Sequence, residues 1–180
     1  ESITKMGIKS QEENQKTLEE LRGASYRVEK VERKETKKNP LPPFTTSTLQ
    51  QDAWARLRFP AKLTMSVAQQ LYERGLITYH RTDSLNLSES SLARVKEVIE
   101  KKYGKNFWAG YYRRYKAKGR AQQAHEAIRP SDPEKEGDKL TGNQKKLYTI
   151  IWQRFVACQM APAVFDSTKA DIKASTSHVF

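Results

Sequence analysis

Cysteine is the scarcest feature of this sequence: Cys158 is the only one in 180 residues, and a single thiol cannot close an internal disulfide. It cannot supply a Cys-rich structural zinc site either, so the composition fits a reducing compartment. No apolar run approaches the roughly 18 residues of a membrane-spanning helix, and no secretory leader is visible. Internal repeats are absent as well. These absences predict a soluble, cytoplasmic chain long enough to bury an ordinary core. Acidic residues are the minority charge, 21 against 33 Lys and Arg, which leaves a formal net charge of +12. Such an excess points to a polyanionic partner, either nucleic acid or an anionic membrane surface. The chain starts at Glu1 rather than Met and stops on an apolar His-Val-Phe, which reads as a piece of a longer protein.

What is present organises itself around prolines and helical periodicity. KSQEENQKTLEELR (9–22) is rich in strong helix formers and ends at Gly23, a C-cap signal. SYRVEKVERKETKK comes next, with Tyr26, Val28 and Val31 as the apolar members of a roughly alternating run, the pattern of a strand with one solvated face. Pro40, Pro42 and Pro43 break regular structure and set a domain boundary near residue 40. Beyond it, Thr46 or Ser47 can cap a helix through LQQDAWARLR, with Leu49, Ala53, Trp54 and Leu57 recurring at helical spacing. A second helix starts at Thr64 or Ser66, buries Val67, Leu71 and Tyr72, and closes at Gly75. Ser88 opens a third with Leu92, Val95, Val98 and Ile99 as its inner stripe. A fourth spans 141–160, turns Leu147, Ile150, Ile151, Phe155 and Cys158 to a core, and stops at Pro162. VFDSTKADIKAS then alternates like a strand returning to the earlier β region. The expected fold class is mainly α with flanking β strands (α+β): a helix and strand over 1–39, a helical domain over 40–160, and a returning strand over 161–180.

Between the second and third helices lies GLITYHRTDS (75–84). If it is extended, Tyr79, Arg81 and Asp83 project to one side and His80, Thr82 and Ser84 to the other. A tyrosine attacking a phosphodiester needs positive charge nearby, to stabilise both its phenolate and the charge that grows on phosphorus. Arg81 can supply it, since a guanidinium stays charged and grips phosphate oxygens in a bidentate fork. Asp83 can orient Arg81 or cap the next helix. From spacing alone, a half-buried strand aromatic beside a surface cation explains the same pattern.

Two further stretches carry chemistry. In AQQAHEAIRPS (121–131), His125 and Arg129 share a face if the segment is helical, although Pro130 puts Arg129 at its end. Together they would clamp a phosphate or protonate a leaving oxygen. The other reading is a structural His paired with Glu126 or a backbone carbonyl. The segment is not the zinc-protease HExxH, since position 129 is Arg. Nor is Tyr79-His80-Arg81 a kinase H-R-D, since Thr82 intervenes and no Gly-rich loop is present. The order of Tyr79 before His125 excludes a tyrosine recombinase, whose nucleophile lies last. KKYGKNFWAGYYRRYKAKGR (101–120) holds eight basic residues, six aromatics and no acidic one. Rings stack on bases while Arg113, Arg114 and Lys116 meet the backbone, a pattern suited to single-stranded nucleic acid. A connector anchored by its aromatics accounts for it equally well.

Taken in order, PLPPFTTSTLQQDA, AQQLYERGLITYHRTDSLNLS and AQQAHEAIRPS closely resemble the type IA DNA topoisomerases, over nearly all of the chain after residue 25. The resemblance implies a toroid in which a helical domain carries the nucleophile, hangs from a β-rich arch and rests against a Toprim domain. It implies that Tyr79 forms a 5′-phosphotyrosine link, that Arg81 holds the scissile phosphate, and that His125 lies beside it. Asp83, Arg129, Arg113, Arg114 and Lys116 become DNA contacts, and DNA that is single-stranded or underwound becomes the partner. His80 and Gln123 depart from the residues most frequent at their positions. The Toprim D-x-D cluster is missing, so Mg²⁺ is expected to bind elsewhere in the intact protein and the fragment alone to be inactive. The intact enzyme would relax negative supercoils without ATP. The reading of a different class is a non-catalytic basic module that only binds single-stranded nucleic acid.

Overall fold

A computed structural model describes residues 10–115 and 125–176. The chain divides into two units, one formed by Glu1–Lys37 with Val164–Phe180 and the other by Lys38–Ala163.

The first unit contains α1 (Gln11–Arg22) and nearly all of β1 (Tyr26–Lys38) and β2 (Ala163–Ala174). Ser10 caps α1 by accepting the Glu13 amide at 3.1 Å, and Gly23 ends the helix. The two strands pair with each other, so VFDSTKADIKAS does return to the earlier strand. Their register is antiparallel: the Ser175 amide donates to the Ser25 carbonyl at 2.8 Å, and the Thr36 hydroxyl to the Phe165 carbonyl at 3.4 Å. One expectation changes here. Instead of a single solvated face, β1 is exposed along almost its whole length, Tyr26, Val28 and Val31 included. A two-stranded ribbon has no second layer of its own to cover either face.

The second unit is built on α2 (Thr46–Leu57), α3 (Ala61–Glu73), α4 (Glu89–Lys102) and α5 (Gly142–Cys158), with a 3₁₀ turn at Lys105–Phe107. α5 is its axis. It packs against the other three helices and buries Leu147, Tyr148, Ile150, Ile151, Trp152, Phe155, Val156 and Cys158, more than one stripe's worth, as a central helix must. α4 presents Leu92, Val95, Val98 and Ile99 inward, as its spacing predicts. Among the described residues no helix is long and apolar enough to cross a membrane.

Three expectations for α2 and α3 are corrected. The α2 cap is Thr45, not Thr46 or Ser47: Thr45 and Thr48 exchange side-chain to backbone hydrogen bonds in a reciprocal capping box. α3 begins at Ala61 behind Pro60, because the Thr64 hydroxyl folds back onto the Pro60 carbonyl at 3.1 Å instead of capping a later turn. Spacing assigns Trp54 and Tyr72 to the core, yet Trp54 is 55% exposed and Tyr72 also faces outward. The buried lines are Leu49 and Ala53 on α2, and Thr64, Val67, Ala68 and Leu71 on α3. Each misplaced aromatic comes one position after an inward residue, about 100° around the helix.

Gly137 sits with φ +75°, and a Cβ built there would lie 2.6 Å from the Tyr148 ring. Tyr148 cannot yield easily, since it is buried and its hydroxyl donates to the Lys135 carbonyl at 2.6 Å. Gly75 has a similar φ of +66° but open space around it. Urea unfolding of Gly137→Ala should therefore show a loss of about 2–4 kcal/mol, against about 1 kcal/mol for Gly75→Ala; equal losses would remove the Tyr148 contact from the explanation.

Candidate functional site

Residues 75–84 do not form a strand. Only Ile77 makes a β-bridge, to Pro130, and the rest is irregular. The predicted alternation holds nonetheless: Tyr79, Arg81 and Asp83 are exposed, while His80, Thr82 and Ser84 are buried. Local hydrogen bonds replace the missing ladder. The Thr82 hydroxyl accepts the Ser84 amide at 3.0 Å, and the Ser84 hydroxyl accepts the Asn86 amide at 3.1 Å. Short hydroxyl side chains turned inward thus satisfy the backbone that an irregular segment would otherwise leave unpaired.

Two threonines moor the segment to its neighbours. At the start of α2, the Thr46 hydroxyl donates to the His80 carbonyl at 2.8 Å and accepts the Thr82 amide at 2.9 Å. The Thr46 amide also donates to the Thr82 carbonyl at 2.9 Å. On the other side, the Thr78 hydroxyl donates to the Ala127 carbonyl at 2.7 Å and accepts the Arg129 amide at 3.0 Å. Backbone bonds from Thr78 to Arg129 and from Ser131 to Leu76 complete that seam. Sequence spacing does not reveal either threonine. The available clue is an unusual density of Thr and Ser at positions the alternation turns inward, where a polar group requires a partner.

Residues 125–130 are also not helical, so His125 and Arg129 do not share a helix face. The seam to 76–78 holds them extended instead, and it separates their roles. His125 meets the Tyr79 ring edge-on at 6.0 Å. Arg129 is mostly buried and donates to Glu126 at 2.6 Å and to its neighbour's carbonyl at Pro130 at 2.9 Å. Glu126 accepts the Ser88 amide at 2.7 Å, so it pairs with Arg129 and the α4 cap rather than with His125. Burial pushes the Glu126 carboxyl up, but the Arg129 guanidinium and the Ser88 amide outweigh that and hold it below the ordinary value.

Tyr79 is 41% exposed, and its ring is surrounded on its inner side. Tyr72 lies 5.4 Å away and His80 5.6 Å away, both in edge-to-face geometry. Sequence spacing points to neither neighbour. Arg81 and Asp83 share the exposed side but do not pair with each other, and Ser88, not Asp83, caps α4. Among the described residues neither Arg81 nor Asp83 has a hydrogen bond or ion pair.

The basic connector resolves into anchors and exposed groups. Arg113, expected to meet DNA, is only 9% exposed; its amide and carbonyl bond the Gln159 side chain at 2.9 and 3.0 Å, and its guanidinium reaches the Tyr111 hydroxyl. Tyr115 donates to the Cys158 carbonyl at 2.8 Å, and burial pushes its phenol up to about 12. Arg114 stays on the surface, paired with Glu89. Tyr103, Phe107, Tyr111 and Tyr112 are exposed. Lys116 lies outside the described residues.

A family model described as DNA topoisomerase matches residues 1–180. The chain belongs to the type IA DNA topoisomerases. DNA topoisomerase 1 of Pseudomonas aeruginosa is 47% identical over 160 residues, covering 87% of this chain and 18% of that protein. The Vibrio cholerae topoisomerase 1 is 49% identical over 158 residues, covering 86% and 18%. The structure of full-length topoisomerase I from Thermotoga maritima matches with a TM-score of 0.72 at 34% identity, over 91% of this chain and 28% of that one. The chain therefore spans about a fifth of its curated relatives in this topoisomerase family.

Removing either mooring hydroxyl strands a carbonyl and an amide that are at least partly buried. Thr46→Val and Thr78→Val should each lower stability by about 1–3 kcal/mol in denaturant titrations, more than an exposed Thr→Val elsewhere; a loss no larger than that control would show the moorings to be incidental. Glu126 gives a pH signature. Its folded value is depressed, so its stabilisation is complete above the ordinary 4.5 and fades as pH falls through the lower folded value. Acid titration of stability should thus be shallower in Glu126→Gln than in the parent.

Proposed function

We propose that this chain is the active-tyrosine portion of an enzyme that cuts one DNA strand, passes another through the gap and reseals it, relaxing negative supercoils without ATP. The observation that carries the reading is the placement of Tyr79 and Arg81. The two stand exposed on one side of a segment whose alternate residues are buried and whose backbone is moored on two flanks. Tyr79 Oη gives up its proton as it attacks phosphorus and forms the 5′-phosphotyrosine bond. The bond from phosphorus to the strand's 3′ oxygen breaks, and that oxygen leaves and takes up a proton, so none is gained or lost overall. Arg81, with no partner among the described residues, is free to grip the nonbridging oxygens as their charge grows. His125 lies against the Tyr79 ring and is proposed to contact the same phosphate. Asp83 and Arg114 are exposed and are proposed to border the DNA. Arg113 and Arg129 are proposed to act indirectly, holding the connector and the His125 segment in place.

Magnesium, which the reading implies for the intact enzyme, is not assigned to residues of this chain. Among the described residues no three His, Cys, Asp or Glu side chains converge as a metal site would require. The ion's place is proposed to lie in the remaining length of the protein, and none of the steps above is routed through it. The proposed division is a helical domain over 40–160, with 1–39 and 161–180 as segments of the arch. The preferred substrate is proposed to be single-stranded or underwound DNA in the bacterial cytoplasm.

In the intact enzyme, Tyr79→Phe should abolish covalent protein–DNA adducts while oligonucleotide binding persists; adducts at parental yield would end the assignment. Arg81→Lys keeps the charge but loses the fork, and should slow single-turnover cleavage by about 10²–10³-fold. If instead cleavage is untouched and neutralising the exposed cations around 101–114 alone destroys function, the chain is a binding module.

A further inference from the structure

His80 has no exposed surface, and among the described residues neither of its ring nitrogens has a hydrogen-bond partner. A core imidazole ordinarily satisfies at least one nitrogen, so a ring buried with both unpaired calls for a reason. The main chain explains why it stays inside. The Thr46 hydroxyl holds the His80 carbonyl at 2.8 Å, and the alternation that exposes Tyr79 and Arg81 leaves the residue between them no outward path. What the ring touches is informative. It lies 5.6 Å from the Tyr79 ring and 5.8 Å from that of Tyr72, which itself meets Tyr79 at 5.4 Å. Three rings thus form a closed triangle of which Tyr79 is a corner.

Given the reading of Tyr79 as nucleophile, we infer that His80 is a positioning residue: its neutral ring, backed by Tyr72, forms the wall that fixes the Tyr79 phenol, and protonation of that ring breaks the wall. Among the described residues, Tyr79 and Arg81 flank it on its own segment, Tyr72 and Glu73 approach from α3, and from α2 the uncharged Thr46 holds its carbonyl. His125 meets Tyr79 on the segment opposite. Burial first, then the positive charge of Arg81, hold the imidazole below its ordinary 6.5, with Glu73 opposing weakly. Well above 6.5 the ring is neutral in the folded and unfolded chain alike. As pH falls below that value the unfolded chain takes up the proton first, so acid favours release of the ring from its seat.

The test uses the intact enzyme and a single-stranded oligonucleotide, measuring cleavage rate against pH and binding in parallel. His80→Phe keeps a ring and cannot charge. It should cleave at near-parental rate in mild alkali and lose the fall that the parent shows below about pH 6.5. His80→Ala, which opens the wall, should cleave about 10–100-fold more slowly at alkaline pH with oligonucleotide affinity unchanged. An acid fall in His80→Phe identical to the parent's, or parental cleavage by His80→Ala, overturns the inference. If thermal melts show His80→Ala to be unfolded, the pH profile of His80→Phe decides alone. Tyr79→Phe run alongside separates the two readings. Adducts that survive in it refute the nucleophile, whereas their loss beside unaltered His80 profiles refutes only the positioning role.

Discussion

The site depends on one side chain that does no chemistry, the Thr46 hydroxyl. It donates to one backbone carbonyl and accepts one backbone amide, two residues apart in the facing segment. An irregular segment has no ladder to hold it, and each unpaired buried backbone group would cost on the order of 1–3 kcal/mol. Thr46 can serve this purpose because Thr45 caps the helix. The division of labour between neighbouring threonines ties the start of α2 directly to the residues on either side of Arg81.

Helical stripes such as that of α4 are legible in the residues because burial there keeps a 3.6-residue period that packing does not alter. The in-and-out order of Tyr79 to Ser84 is legible too, since extended backbone alternates whether or not a partner strand is present. Spacing misplaces Trp54 and Tyr72 for a physical reason: each lies at the edge of a hydrophobic stripe, and only the crossing of neighbouring helices decides on which side the edge falls. The path of residues 125–130 is hidden because HEAIR has good helix formers, while the deciding term is a long-range bond from Thr78. Propensity is worth tenths of a kcal/mol per residue, and the seam outweighs it.

The basic character of the chain also divides on inspection. A net charge of +12 is a property of the whole, but individual cations are committed differently. Arg129 neutralises Glu126, and Arg113 fastens the connector to the end of α5. Arg113 stands directly before a cation that remains at the surface, Arg114. Proximity in sequence to a basic run is therefore poor evidence of contact with a polyanion. The aromatics behave alike, Tyr115 working as an anchor four residues after the exposed Tyr111.

The alternation between Thr78 and Thr82 has a consequence for variation. Both ends of this stretch are pinned by hydroxyls on fixed partners, so its length is as constrained as its composition. Removing or adding one residue between the pins would exchange the two sets of side chains, sending an arginine inward and a histidine out. Point substitutions leave that parity intact. The stretch should therefore accept changes of residue at its inward positions far more readily than any change in the count of residues between them.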